Sequence, residues 1–145
     1  MPFDDNIPSV AFISLLYREH TKYLNEKVKD ENLSYGLYPL LIKIYNNEGI
    51  IQEQLANFFH LNESTITRNL KKLEDKEFIT RTPNKRTKVI KTTKKGKITA
   101  QKLKNLDEKW DEKIRKTIGE EDYSKFLKTL RKITEEIIWM KQLKT

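Results

Sequence analysis

The sequence predicts a mainly α chain with a small β-hairpin, and three observations lead there. Apolar residues return every three or four positions over most of the 145 residues, the period of a helix with one buried face. Glycine and proline, four of each, are too sparse to punctuate a many-stranded sheet. Only one stretch, Phe78 to Thr92, breaks the helical period and carries turn residues in its middle.

The elements follow in order. Val10, Ile13, Leu16, Tyr17, Leu24 and Val28 share a helical face, with His20 or Tyr23 between them, so Ile7 to about Lys29 reads as a first helix that Asp30-Glu31-Asn32 breaks. Ser34 is a candidate cap for a second helix through Leu37, Leu40, Leu41, Ile44 and Tyr45, which Asn46-Asn47-Glu48-Gly49 ends. Pro39 lacks a backbone donor, so the regular helix is expected to begin nearer Tyr38 than Tyr35. Ile51, Leu55, Phe58 and Phe59 form the apolar stripe of a short third helix. His60-Leu61-Asn62 then turns the chain, with Leu61 plugging the angle between helices. Asn62 caps a fourth helix whose core side is Ile66, Leu70 and Leu73.

Phe78-Ile79-Thr80-Arg81-Thr82 and Thr87-Lys88-Val89-Ile90-Lys91-Thr92 read as two strands joined through Pro83-Asn84-Lys85-Arg86. Thr93 caps a long helix bearing Leu103, Leu106, Trp110 and Ile114, and Gly119 ends it. A final helix opens on Glu120-Glu121-Asp122 and carries Tyr123, Phe126, Leu127, Leu130, Ile133, Ile137 and Met140. Together these make a winged helix-turn-helix flanked by N- and C-terminal helices. The expected organisation is a single domain over 1–145, with the winged helix-turn-helix at 35–93 and helical regions at 5–30 and 94–143 on either side of it. The last helix, with Ile138 and Trp139 added, bears more apolar surface than one short chain can cover, which marks an interface; intramolecular packing of Trp139 is the other reading.

Composition narrows the chemistry. The absence of cysteine excludes disulfides, cysteine nucleophiles and cysteine-ligated zinc. His20 and His60 stand in no metal-ligand spacing, and no phosphate loop, nucleophile elbow or dinucleotide fingerprint occurs, so no enzyme, cofactor or metal is expected. The acidic N-terminal segment does not resemble a secretory signal, and no apolar run has the length of a membrane span; a cytoplasmic protein is expected.

The net charge is +8, and its placement is more informative than its size. Ser64 to Lys102 holds 13 Lys or Arg against three acids, a surplus of ten, whereas the rest of the chain has 16 basic and 18 acidic residues. Charge alone fits either a nucleic-acid-binding face or a solvated basic surface. On the fourth helix, Ser64, Arg68, Lys71 and Lys72 lie opposite Ile66, with Thr65 and Thr67 beside them. Small hydroxyls in the first turn allow close approach to base edges, and the longer cations reach guanine acceptors or phosphates. At the hairpin tip, Lys85 and Arg86 suit contact with the sugar-phosphate backbone or a narrow minor groove.

With these residues in place, Ile51 to Gly96 resembles the winged helix-turn-helix core of the MarR family of regulators. The resemblance rests on Leu55-Ala56, Ser64-Thr65-Ile66-Thr67-Arg68, Leu73-Glu74, Phe78-Ile79, and Asn84-Lys85-Arg86 followed by Thr93 and Gly96. Asn84 and Thr92 replace the family's Asp and Leu, and Glu77 stands where Gly is frequent. The resemblance implies a homodimer in which the first and the last two helices of both copies interlock. It also implies a transcriptional regulator, here expected to be a repressor, that binds an inverted-repeat operator in double-stranded DNA. It further implies control by a small phenolic or anionic effector; Tyr17, Arg18, Tyr35 and Tyr38 are candidates to line its pocket, core packing being their other role. The rivals are a winged-helix RNA-binding or protein-docking module and an accessory subunit that holds an acidic partner. Base-stacking aromatics would favour RNA, and none is expected on the exposed faces of the fourth helix or wing.

Overall fold

A computed structural model describes residues 3–29 and 33–139, without the side chains of Tyr35 and Trp139. The proposed break at Asp30-Glu31-Asn32 and the apolar position Met140 lie outside the described residues, as do the side-chain roles suggested for Tyr35 and Trp139. The chain divides into two compact units, Met1–Leu106 and Asp107–Thr145.

In the first unit, α1 (Ser9–Val28) buries only the C-terminal part of its apolar face, Leu24 and Val28. Val10, Ile13, Leu16 and Tyr17 are exposed. A 3₁₀ turn, Tyr35–Leu37, leads into α2 (Tyr38–Asn46), which starts where Pro39 allows. The proposed cap at Ser34 is corrected: Leu37 is the N-cap with no side-chain cap, and Ser34 contributes its backbone carbonyl to the Leu37 N–H instead.

Ile50–Ile51 forms β1, so Ile51 is extended and lies outside the helix in which its spacing would put it; α3 runs Gln52–Phe59. Phe58 also departs from the expected buried stripe. It is exposed, with the Lys43 ammonium 3.7 Å from its ring centre. His60 turns the chain in a left-handed conformation and Leu61 packs against the core.

The next helix, α4, spans Glu63–Asp75, followed by β2 (Ile79–Asn84), β3 (Thr87–Thr92) and α5 (Lys94–Ile118). The strands make an antiparallel sheet in the order β1-β3-β2. One core joins the elements of this unit: Leu41 and Ile44 of α2, Leu55 of α3, Ile66, Leu70 and Leu73 of α4, Ile79 and Ile90 of the sheet, and Ala100 and Leu103 of α5 are all essentially inaccessible. Burial of these side chains, about 1.5–3 kcal/mol for each large one, fixes α4 against the sheet and leaves its opposite side in water.

The second unit holds the end of α5 and α6 (Glu120–Thr134), which a π-helical turn, Glu135–Trp139, extends. Gly119 separates the helices at φ 89°. Tyr123 is the buried residue of α6, with the Arg115 guanidinium stacked 4.4 Å from its ring centre. Phe126, Leu127, Leu130, Ile133 and Ile137 keep the expected helical spacing but are exposed.

Candidate nucleic-acid interface

The start of α4 is fixed by Asn62, whose Oδ1 accepts from the Thr65 N–H at 2.8 Å and the Ser64 hydroxyl at 2.9 Å. This cap satisfies an orphan helix donor and sets the direction in which the helix leaves the turn. Ser64, Thr67, Arg68, Lys71 and Lys72 are exposed, and Thr65 is half-buried. Lys71 pairs with Asp75 at 3.5 Å, whereas Arg68 and Lys72 have no ion pair among the described residues. The result is a cationic, hydroxyl-bearing face on a rigid helix.

A tie that the sequence does not foreshadow comes from α3. The Gln52 amide nitrogen lies 2.9 Å from Glu63 Oε2 and 2.8 Å from Thr67 Oγ1, linking α3 directly to the outward face of α4. Helical periodicity carries no signal for such a bond, because Gln52 lies at the margin of its helix's buried stripe.

The wing is a two-residue connection, Lys85-Arg86, closing the Asn84–Thr87 pair. Lys85 is left-handed at φ 59°, a conformation such connections favour although Gly or Asn adopts it more readily. Asn84, in place of the family's Asp, uses its backbone carbonyl to accept from the Thr87 hydroxyl at 3.2 Å. Lys85 and Arg86 are exposed and have no ion pair among the described residues.

Arg81 sets the wing against α4. Its guanidinium donates to both Glu74 oxygens, at 2.9 and 3.3 Å, with 14% of its side chain exposed. The Arg81 hydrogen bond, aided by charge attraction, holds the Glu74 carboxyl below its usual range, and the same bond raises Arg81. Since the folded state depresses the Glu74 pKa, this contribution is complete above the carboxyl's ordinary 4.5 and fades as pH falls through the lower folded value. Arg81→Ala should therefore cost about 1 kcal/mol near neutrality, a modest figure because Glu74 is partly solvated. The gap from the unmodified protein should narrow below pH 4.5; urea unfolding at pH 7 and at pH 3 would measure it, and an equal gap at both would refute the coupling.

The departures at Thr92 and Glu77 have local causes. Thr92 is buried, and both its N–H and its hydroxyl donate to the Glu48 carboxylate, so a polar residue replaces a leucine without an unsatisfied group. Glu77 sits at φ 63°, where glycine is the less strained choice. Its carbonyl accepts from the Thr93 hydroxyl at 2.6 Å, and that oxygen in turn caps the Gly96 N–H at 3.0 Å.

Of the residues proposed for an effector, Tyr17, Arg18 and Tyr38 have described side chains. Tyr17 and Arg18 are exposed on α1, while Tyr38 is buried in the core with its hydroxyl donating to Asn25 Oδ1 at 3.3 Å. Tyr38 as a pocket wall is thus corrected to a core residue, since contact with a ligand would require it to leave that packing.

The MarR family model matches residues 33–88, from the end of the α1–α2 connection into β3. The structure is similar to a crystal structure of MarR, with a TM-score of 0.83, 27% identity and coverage of 98% of this chain and 99% of that one. The chain is thus similar to MarR-family transcriptional regulators in sequence over its winged helix and in fold over nearly its whole length. It is 40% identical over 88 residues to the uncharacterized HTH-type transcriptional regulator YybA of Bacillus subtilis, and that match spans 59% of each protein. It also resembles a putative MarR family regulator from Listeria monocytogenes whose crystal structure is complexed with 26mer DNA. There the TM-score is 0.81 at 26% identity, covering 90% of this chain and 89% of that one. No helix of the described residues is long and apolar enough to cross a membrane.

Proposed function

We propose that this chain is a MarR-family regulator, a cytoplasmic repressor that binds an inverted-repeat operator in double-stranded DNA as a homodimer. The outward face of α4 enters the major groove: Arg68 reads a base edge, Ser64, Thr65 and Thr67 approach the bases, and Lys71 and Lys72 meet phosphate. Lys85 and Arg86 of the wing follow the backbone, with Arg86 placed for the minor groove. What supports this most is the single cationic face of α4, held rigid by its buried opposite side and flanked by a basic two-residue wing tip. In a dimer the two α4 helices would meet successive major grooves ~34–36 Å apart. Release by a small aromatic or anionic ligand would draw on Tyr17 and Arg18, both exposed on α1.

Titration of an inverted-repeat duplex, a random duplex and single-stranded RNA over a salt series tests this reading. Arg68→Ala should weaken specific binding by about 1–3 kcal/mol and relax sequence preference. Arg86→Ala should weaken binding to both duplexes with little change of preference. For every phosphate that a variant no longer neutralises, the slope of log affinity against log salt should flatten by about 0.9 per subunit. Equal affinity for all three nucleic acids, or RNA bound above duplex, would replace operator binding with the rival winged-helix role.

A further inference from the structure

We propose that Gln52, on the helix before α4, is a specificity-positioning residue that fixes Thr67 as a hydrogen-bond donor toward the major groove. This rests on the assignment of α4 as the reading helix.

The carboxylate of Glu63 only accepts, so the Gln52 side chain must turn its NH₂, not its carbonyl, toward it. The same nitrogen lies 2.8 Å from Thr67 Oγ1, and with its second hydrogen it donates there. The Thr67 oxygen is therefore an acceptor in this bond, and its own O–H hydrogen must point elsewhere.

Helical threonines commonly turn that hydrogen back onto the carbonyl four residues earlier. Thr21, Thr117 and Thr134 do so here, at 2.9, 2.8 and 2.8 Å. Thr67 makes no such bond among the described residues, and its side chain is exposed on the face it shares with Ser64, Arg68 and Lys71. Its hydrogen is left for a partner in the groove. Purine N7, guanine O6 and thymine O4 accept such a bond, whereas the cytosine amino group cannot. Gln52 thus sets the polarity of a base contact without touching the base.

One position of each half-site should consequently disfavour cytosine by about tenfold, the scale of one missing hydrogen bond. The experiment sequences the duplexes retained from a pool of randomised half-sites, beside thermal unfolding of each variant. Thr67→Val should erase that single preference and so locate it. Gln52→Ala should weaken the same preference and no other, leaving the salt slope unchanged because Gln52 neutralises no phosphate. Adding Gln52→Ala to Thr67→Val should change nothing further.

The decisive variant is the paired exchange of Gln52→Glu with Glu63→Gln, which conserves charge. Residue 52 then accepts from the Thr67 hydroxyl, lone pairs face the groove, and the preference should invert toward the amino groups of cytosine or adenine. A Thr67-dependent preference that persists in Gln52→Ala and does not invert in the exchange would overturn the positioning role alone. A pool retained without any preference by the unmodified protein would overturn the reading of α4 as well.

Discussion

Gly96→Ala is expected to destabilise the DNA-binding lobe by about 3 kcal/mol, at the upper end of what overpacking usually costs. A Cβ built on Gly96 would lie 2.0 Å from the carbonyl oxygen of Phe78 and 3.0 Å from its carbonyl carbon. Those atoms are backbone, so no rotamer change relieves the overlap. The oxygen is also held in place, since it accepts from the Thr93 N–H at 3.0 Å, and Phe78 is fully buried. Relief would require the start of α5 to move away from the entry to the wing, breaking the Thr93 bonds that join them. Gly36→Ala is the control: no atom lies within 4 Å of the added Cβ and its φ is not positive, so a change within about 0.5 kcal/mol is expected. Urea midpoints of the two variants should differ accordingly. A Gly96→Ala loss no larger than that of Gly36→Ala would show that α5 and the wing entry separate freely.

Gly96 also marks the border of what the sequence makes legible. Its place after Thr93 is part of the family pattern, yet the close approach that requires it appears only when Phe78 and α5 are brought together. The Asn62 cap, the buried Ile66-Leu70-Leu73 side of α4 and the Lys85-Arg86 tip are legible because each depends on neighbours within a few positions. Strand β1 is not: two residues are too short for an alternating pattern, and their partners Val89 and Ile90 lie far along the chain. For the same reason the spacing of Ile51 points to the helix it precedes. Phe58 matches a helical stripe by spacing, but of α3 only Leu55 and Ala56 are fully in the core, with Phe59 at its edge, and Phe58 lies at the surface with Lys43 over its ring. Polar ties between elements leave no period at all. The Arg81–Glu74 clamp, the Glu48 carboxylate under Thr92 and the Gln52 bridge to α4 each join residues whose proximity comes from the tertiary fold. Tyr38 shows the limit of residue type alone, which leaves it open between a pocket wall and the core; it occupies the core.

Leu130→Asp is expected to turn the proposed dimer into single chains while leaving the DNA-binding lobe folded. Phe126, Leu127, Leu130 and Ile133 recur at helical spacing on α6, exposed by 37–48%. A carboxylate placed in the middle of such a face, once covered by a second copy, would be desolvated without a partner, at a cost of several kcal/mol. The lobe should survive because its core is drawn from residues 24–106, none of them in α6. The effect should reach DNA through geometry. With two lobes linked, the second half-site is bound at an effective concentration that commonly raises affinity by about 10²–10⁴, and separate chains forfeit that gain while each keeps its own hold on the bases. Sedimentation of the unmodified protein at micromolar concentration should therefore give twice the single-chain mass, and Leu130→Asp should give the single-chain mass with an unaltered helical circular-dichroism signal. On an inverted repeat its affinity should fall toward that of an isolated half-site, whereas on the half-site alone the two proteins should bind alike. An unmodified protein that sediments as single chains, or a Leu130→Asp protein that remains double, would remove α6 from the dimer interface.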